Sequence, residues 1–180
     1  DVGVYVFLTI IYDSTGIASA ISTGLKSGLN PVEALLGSLQ EAFHPRTWIR
    51  HKKDQFTGKM TDLIKPSELL ERAILWSSLE SVKHLDFLLN STKETVKIED
   101  YEDKSDNSSA KDLQKTIKLL GDRGYNSYFV DITPNLPSIK NTKFKVVMTV
   151  VPELQPLYLD ERYPYLGCVR LYEVPVKLGY

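Results

Sequence analysis

Asn30-Pro31-Val32-Glu33-Ala34-Leu35-Leu36-Gly37-Ser38-Leu39-Gln40-Glu41-Ala42-Phe43-His44-Pro45-Arg46 is the stretch on which the fold of this 180-residue chain turns. Asn30 is an N-cap residue, whose side-chain oxygen accepts from a free N–H of the first helical turn. Pro31 fits the first helical position, where no N–H is required. Glu33 sits where it completes a capping box. Behind this start, Val32, Leu35, Leu36, Leu39 and Phe43 recur at spacings of three and four. That period predicts an amphipathic helix to about Phe43, with Arg50 as its outer limit.

Upstream, Val2 to Asp13 is rich in Val, Ile, Tyr and Phe and reads as a buried strand. Asp13-Ser14-Thr15-Gly16 is a turn, and Ile17 to Thr23 is a second strand, so the two form an antiparallel hairpin. Gly24, Gly28 and Asn30 mark a loop before the helix. Downstream, Asp54 to Lys65 is a polar loop. Pro66-Ser67 opens a second helix through about Trp76, and Glu80 to Leu89 is a third. Residues 90–109 turn polar, with Glu99, Asp100, Glu102, Asp103 and Asp106 close together, and predict a mobile charged surface loop. They lack the spacing and central glycine of a calcium loop. Ala110 to Asp122 is a helix ended by Gly124. Tyr128 to Ile132 and Phe144 to Val151 are strands, separated by the turn Thr133-Pro134-Asn135. The aromatic, Pro-punctuated tail from Tyr158 to Tyr180 reads as extended chain. The class is α+β, with helices packed on a mixed or antiparallel sheet.

A net charge of -1 with 42 % hydrophobic residues fits one globular domain over residues 1–180. It argues against a nucleic-acid protein held by a basic field. Arg46, Arg50, Lys52 and Lys53 form only a short patch, read as a solvated helix end. The single cysteine, Cys168, forbids an internal disulfide and fits a reducing compartment, the cytoplasm. With no His near it in sequence, it reads as a structural thiol. Asn90-Ser91-Thr92 and Asn107-Ser108-Ser109 match the glycosylation sequon, a pattern common by chance. The longest apolar run, Val2 to Tyr12, is too short to span a bilayer. The chain enters that run directly from Asp1, so it is expected to be a processed, cleaved or partial chain.

Glu41 and His44, three apart, share one helix face. Pro45 clashes with the carbonyl four residues back, that of Glu41, and predicts a kink or an end at His44. An acid, an imidazole and a guanidinium would then gather around one backbone irregularity. The set suits a nucleoside triphosphate: carboxylate and imidazole on a divalent metal, Arg46 bidentate on phosphate. The plainer reading is a His-Pro helix end with Glu41 and Arg46 facing solvent, and spacing alone favours it. Gly24 to Gly28 is not followed by the Lys-Ser or Lys-Thr of a P-loop.

Ser22-Thr23-Gly24-Leu25-Lys26-Ser27-Gly28-Leu29-Asn30-Pro31-Val32-Glu33-Ala34-Leu35-Leu36, followed by Glu41-Ala42-Phe43-His44-Pro45-Arg46, resembles the second ATP-site segment of YcaO proteins. There a Gly-containing loop enters a helix with an Ala-Leu step and a Glu-x-x-Gln-x-Arg signature. The resemblance makes Glu41 the glutamate that binds magnesium and phosphate, and Arg46 the arginine. His44 stands where Gln or Glu is usual. Three further stretches follow in order: Tyr128-Phe129-Val130-Asp131-Ile132-Thr133 after Gly124; Val150-Val151-Pro152-Glu153-Leu154; and Tyr165-Leu166-Gly167 with Arg170-Leu171-Tyr172. The charged stretch 90–109 has no counterpart.

The resemblance implies the C-terminal half of a YcaO-like fold. ATP and Mg2+ are the implied cofactors, held by Glu41, His44 and Arg46. Glu33, two turns before Glu41, is a third metal candidate, its capping box being the alternative. Such enzymes phosphorylate a peptide-bond oxygen. Attack by a Cys, Ser or Thr side chain then gives an azoline, attack by sulfide a thioamide, and attack by an amine an amidine. The first ATP-binding pattern, Ser-x-x-Glu-x-x-Glu-Arg, is not found, so an N-terminal half or a companion chain would complete the site. The tail Val174-Pro175-Val176-Lys177-Leu178-Gly179-Tyr180 lacks the Pro-x-Pro-x-Pro of ring-forming members, which leaves thioamide formation more open. Implied partners are a peptide or protein substrate, a sulfur-delivery or substrate-docking protein, and a second copy in a homo-oligomer. Two other readings compete. One is a non-catalytic module that recognises peptides through Tyr158, Tyr163, Tyr165 and Tyr172. The other is a structural fragment that pairs with its missing half.

Overall fold

A computed structural model describes residues 2–55, 68–90, 95–136, 139, 142–158, 160 and 162–177. The chain is α+β and divides into two compact units. One comprises Val4–Ser105 with Tyr158–Pro164, the other Asp1–Gly3, Asp106–Leu157 and Tyr165–Tyr180.

In the first unit, β1 (Tyr5–Tyr12) and β2 (Ile21–Gly28) form the expected antiparallel hairpin, with Thr9 opposite Gly24 and Tyr12 opposite Ile21. The second strand is displaced from its expected place. It begins at Ile21 rather than Ile17 and runs on through Gly24 and Gly28, which were expected in a loop. The physical reason is a helix lying on the strand. A Cβ on Gly24 would stand 2.0 Å from the Ser38 carbonyl oxygen and 2.4 Å from the Ala42 nitrogen. Glycine serves a close approach of backbones here, not a turn.

That helix is α1, Pro31–Gln55. It starts where expected, with Asn30 Oδ1 accepting the Glu33 N–H at 3.0 Å, but among the described residues the Glu33 side chain returns no hydrogen bond, so the expected capping box is only half formed. Its end is not, because the helix passes through Pro45 without stopping at His44. Pro45 cannot donate to the Glu41 carbonyl, but packing on both sides holds the helical path. Ala34, Ser38 and Ala42 are buried before the proline and Ile49 after it. The buried face also differs from the expected one. Val32, Leu36, Leu39 and Phe43 are exposed, and the face against the hairpin carries small residues. Close approach at Gly24 selects small side chains, and Thr9 Oγ1 meets Ser38 Oγ at 2.7 Å in that seam.

Strand side chains alternate between faces, so Ser22, Gly24, Lys26 and Gly28 all point at α1. They step down it in order. Ser22 Oγ accepts from Arg46, Gly24 touches Ser38 to Ala42, the Lys26 stem lies on Gly37, and Gly28 meets Ala34. β2 therefore runs antiparallel to the helix beneath it.

α2 (Leu69–Leu75) follows, and the start expected for it at Pro66-Ser67 lies outside the described residues, as does most of the expected loop from Asp54 to Lys65. The expected third helix is a 3-10 helix over Leu79–Leu85 continued by α3, Asp86–Leu89. Ser78 Oγ accepts the Glu80 N–H and Ser81 Oγ donates to the Leu75 carbonyl. These hydroxyls supply backbone partners that favour the tighter turn. Within the acidic stretch expected to be mobile, residues 101–104 are fastened to the hairpin. Tyr101 packs edge-on to Tyr5 and Phe7, Tyr5 Oη donates to the Glu102 carbonyl, and the Lys104 N–H donates to the Leu29 carbonyl. An aromatic residue among the acids gives that stretch its anchor.

In the second unit, α4 (Ser109–Gly121) leads through Gly124, at φ +76°, to β3 (Tyr128–Asp131). β3 pairs antiparallel with β4 (Val147–Val150). Glu153 accepts from both the Asn126 backbone and its side-chain amide, closing the base of this hairpin. The tail was expected to be extended, yet residues 170–177 form α5, Arg170–Lys177. Pro175 falls inside this last helix.

At the end of β3 the Thr133 hydroxyl and N–H, then the Lys145 ammonium, hold the Asp131 carboxyl down to about 2. A depressed carboxyl contributes stability that is fully present above its unfolded value near 3.8 and is lost as pH falls through about 2. A carboxyl-carbon NMR titration is expected to place the Asp131 midpoint near 2, and Thr133→Val to raise it more than Lys145→Met. An unchanged midpoint in Thr133→Val would contradict this assignment.

Candidate functional site

One flank of α1 carries Glu33, Gly37, Glu41, His44 and Trp48, spaced three and four apart. Glu41 and His44 are exposed there. Among the described residues, neither makes a hydrogen bond or ion pair through its side chain, and neither does Glu33. The Glu41 Cβ sits 3.0 Å from the position a Cβ on Gly24 would take, so the strand fixes where this side chain emerges. Glu33 lies eight residues earlier, ~12 Å along the helix axis. Its backbone N–H is capped by Asn30, whose amide in turn donates to Asp103 Oδ2 at 2.8 Å. Among the described residues, no three His, Cys, Asp or Glu side chains gather in a metal-holding group.

Arg46 is elsewhere. Because the helix continues through Pro45, His44 and Arg46 stand about 200° apart around it. The acid, imidazole and guanidinium expected to gather are thus divided between two flanks. Arg46 Nη2 donates to Asp13 Oδ2 at 2.9 Å, and Nη1 reaches the Ser19 carbonyl and Ser22 Oγ at 3.4 and 3.3 Å. Both partners of the ion pair are 17 % exposed. The Thr15 hydroxyl and N–H, with Arg46, hold the Asp13 carboxyl below the usual carboxylate range. Arg46 latches the end of the hairpin to the helix. Asp13 was legible only as a turn residue, since its partner lies 33 positions away.

Further along α1, a mostly apolar cavity of about 340 Å³ opens between Thr23, Pro45, Trp48, Leu69, Arg72 and Trp76. The chain has only two tryptophans, and both line it. Trp48 stands seven residues after Glu41 on the same flank, a spacing that could have marked it. Of the tail tyrosines, Tyr158 offers its carbonyl to Arg72 at 3.0 Å and its ring lies 5.8 Å from that guanidinium. Tyr163, Tyr165 and Tyr172 are exposed, but Tyr163 belongs to one unit and the other two to the second, so they are not one surface of a single unit. Cys168 is free and half-buried. No described helix is long and apolar enough to cross a membrane.

The backbone of this arrangement has known counterparts. A solved structure described as a heterocyclase in complex with substrate and cofactor superposes with a TM-score of 0.72 at 20 % identity. The structure of the heterocyclase TruD superposes with a TM-score of 0.65 at 19 % identity. Each likeness covers 99 % of this chain but 21 % of the solved one, so the chain spans about a fifth of their length. At such identities the likeness is one of fold. Among curated proteins none matches. The family profile of the YcaO cyclodehydratases, described as ATP- and Mg2+-binding, matches residues 1–155, and within it lie Glu33, Glu41, His44 and Arg46. With most of its length matched, the chain belongs to the YcaO cyclodehydratase family, whose cofactors are ATP and Mg2+.

Proposed function

We propose that this chain is the part of an ATP-dependent enzyme that holds magnesium and phosphate while a peptide backbone amide is activated. The observation that carries this reading is the pairing of an uncommitted carboxylate and imidazole, Glu41 and His44, on one flank of a firmly packed helix within the matched region. Their donor types suit a magnesium ion that also takes phosphate oxygens. When bound, ATP supplies the phosphoryl group that makes an amide oxygen a leaving group, with magnesium offsetting the phosphate charge. The chain's own residues orient: Gly24 seats β2 on α1 beneath Glu41, and Arg46 with Asp13 keeps the hairpin from sliding along the helix. Such positioning is most of what a protein contributes to phosphoryl transfer.

The rest of the site comes from a second element, either an N-terminal half or a companion chain. In support, among the described residues only two candidate ligands share one place on α1, and large apolar faces stand open. Val32, Leu36, Leu39 and Phe43 line one side of α1, and Val6, Leu8 and Leu25 line the outer face of the hairpin. The attacking group is a substrate Cys, Ser or Thr for an azoline, or sulfide from a delivery partner for a thioamide. A second reading follows from His44 in place of the family's Gln or Glu: a YcaO scaffold that recognises a peptide without using ATP.

Calorimetric titration of ATP into this chain, alone and joined to a complementary YcaO half, tests the proposal. Magnesium-dependent binding by the joined form is expected. Its absence from both forms would sink the ATP site and leave the recognition scaffold.

A further inference from the structure

With Arg46 engaged by Asp13 on the far flank, a polyphosphate beside Glu41 needs a cation from another element. A triphosphate brings about four negative charges, and Glu41 adds another. β2 supplies the candidate. Lys26 is one of the strand residues that point at α1, two residues beyond Gly24 and ~7 Å from it along the strand. Its stem lies on Gly37. A Cβ built there would stand 2.9 Å from Lys26 Cγ, 3.3 Å from Cδ and 3.4 Å from Cε. Gly37 therefore forms a notch in the helix surface through which the lysine passes.

The notch sits one helical turn after Glu33 and one before Glu41. A lysine between two carboxylates would ordinarily pair with one of them, yet among the described residues Lys26 has no hydrogen bond or ion pair, and its side chain is exposed. Its aliphatic carbons are held by packing and its ammonium is left available. A lysine held this way is a compact point charge of the kind that binds phosphate.

We propose that Lys26, threaded across Gly37, is the phosphate-binding cation of the Glu41–His44 flank, with the β- and γ-phosphates of a nucleotide as its ligand. Arg46 is a positioning residue. The assignment rests on the reading of Glu41 as a magnesium-phosphate site and adds a residue from β2 to it.

The test is equilibrium binding of ATP and of AMP to the intact protein with magnesium, for wild type, Lys26→Met, Lys26→Arg, Gly37→Leu and Glu41→Ala. Lys26→Met is expected to weaken ATP roughly 10- to 100-fold, the range of one charge-assisted hydrogen bond, and to leave AMP unchanged. Lys26→Arg should recover part of the loss. Gly37→Leu fills the notch, displaces the lysine and should reproduce the loss while the melting temperature shows the fold intact. Normal ATP affinity in Lys26→Met beside a loss in Glu41→Ala would overturn the Lys26 assignment and keep the site. Equal losses for ATP and AMP in Lys26→Met would overturn it as well. Normal ATP affinity in Glu41→Ala would remove the site and the Lys26 assignment with it.

Discussion

Gly24→Ala is expected to destabilise the hairpin-helix unit by roughly 3 kcal/mol or more, a fall in melting temperature of ~10 °C or greater. The added methyl has nowhere to go. It would stand 2.0 Å from the Ser38 carbonyl oxygen and 2.4 Å from the Ala42 nitrogen, both backbone atoms in the middle of a helix. A flexible side chain could swing aside, but a helical backbone moves only as a body. β2 would have to lift from α1 and open the seam that buries Ala34, Ser38 and Ala42. Gly28→Ala is the control. There the new Cβ meets Ala34 Cβ at 3.6 Å, an ordinary contact, and should cost less than about 1 kcal/mol. Thermal melts followed by circular dichroism separate the two. Similar melting temperatures would mean that strand and helix do not meet at Gly24 as described.

The same glycine shows where sequence reading stops. Local signals were sound: Asn30 and Pro31 start α1 where they should, and Gly124 ends the α4 region in a left-handed turn. Glycine breaks strands on average, which on local signals alone places Gly24 in a loop. Its real partner, the Ser38–Ala42 backbone, is a tertiary contact with no local trace. The inverted face of α1 has the same origin. Period alone picks the largest apolar residues as the core, but a backbone that must approach a glycine selects Ala34, Ser38 and Ala42. The intrinsic preference of Pro45 is to end the helix, and packing on both sides overrides it. The continuous helix also decides the site. A kink would have gathered His44 and Arg46, whereas a continuous helix sets them on separate flanks. Glu41 and His44 were legible because their relation is a spacing within one helix. Arg46–Asp13 and Lys26–Gly37 were not, because each joins two elements. The family was legible because its signature is four short local runs that follow one another in order along the chain.

Glu41→Ala is expected to lower magnesium-dependent ATP turnover of the intact protein roughly 100-fold or more, several kcal/mol of barrier, with no loss of stability. The dissociation of these two effects is the informative part. Glu41 is exposed and its side chain has no hydrogen-bond or ion-pair partner among the described residues. Removing it should leave the melting temperature within about 1 °C of wild type. Residues that matter to the fold behave otherwise, since losing Arg46 removes an ion pair and two further contacts at the hairpin end. Glu41→Gln separates charge from shape and should fall nearly as far, because a neutral amide is a poor magnesium ligand. Glu33→Ala should retain most activity, its place ~12 Å along the axis setting it apart from the Glu41–His44 pair. His44→Gln introduces the residue that the family resemblance leads one to expect there and should stay active. A Glu41→Ala protein that turns over ATP at the wild-type rate would move the metal site off α1, leaving the packing of strand on helix as a scaffold whose chemistry resides in another part of the enzyme.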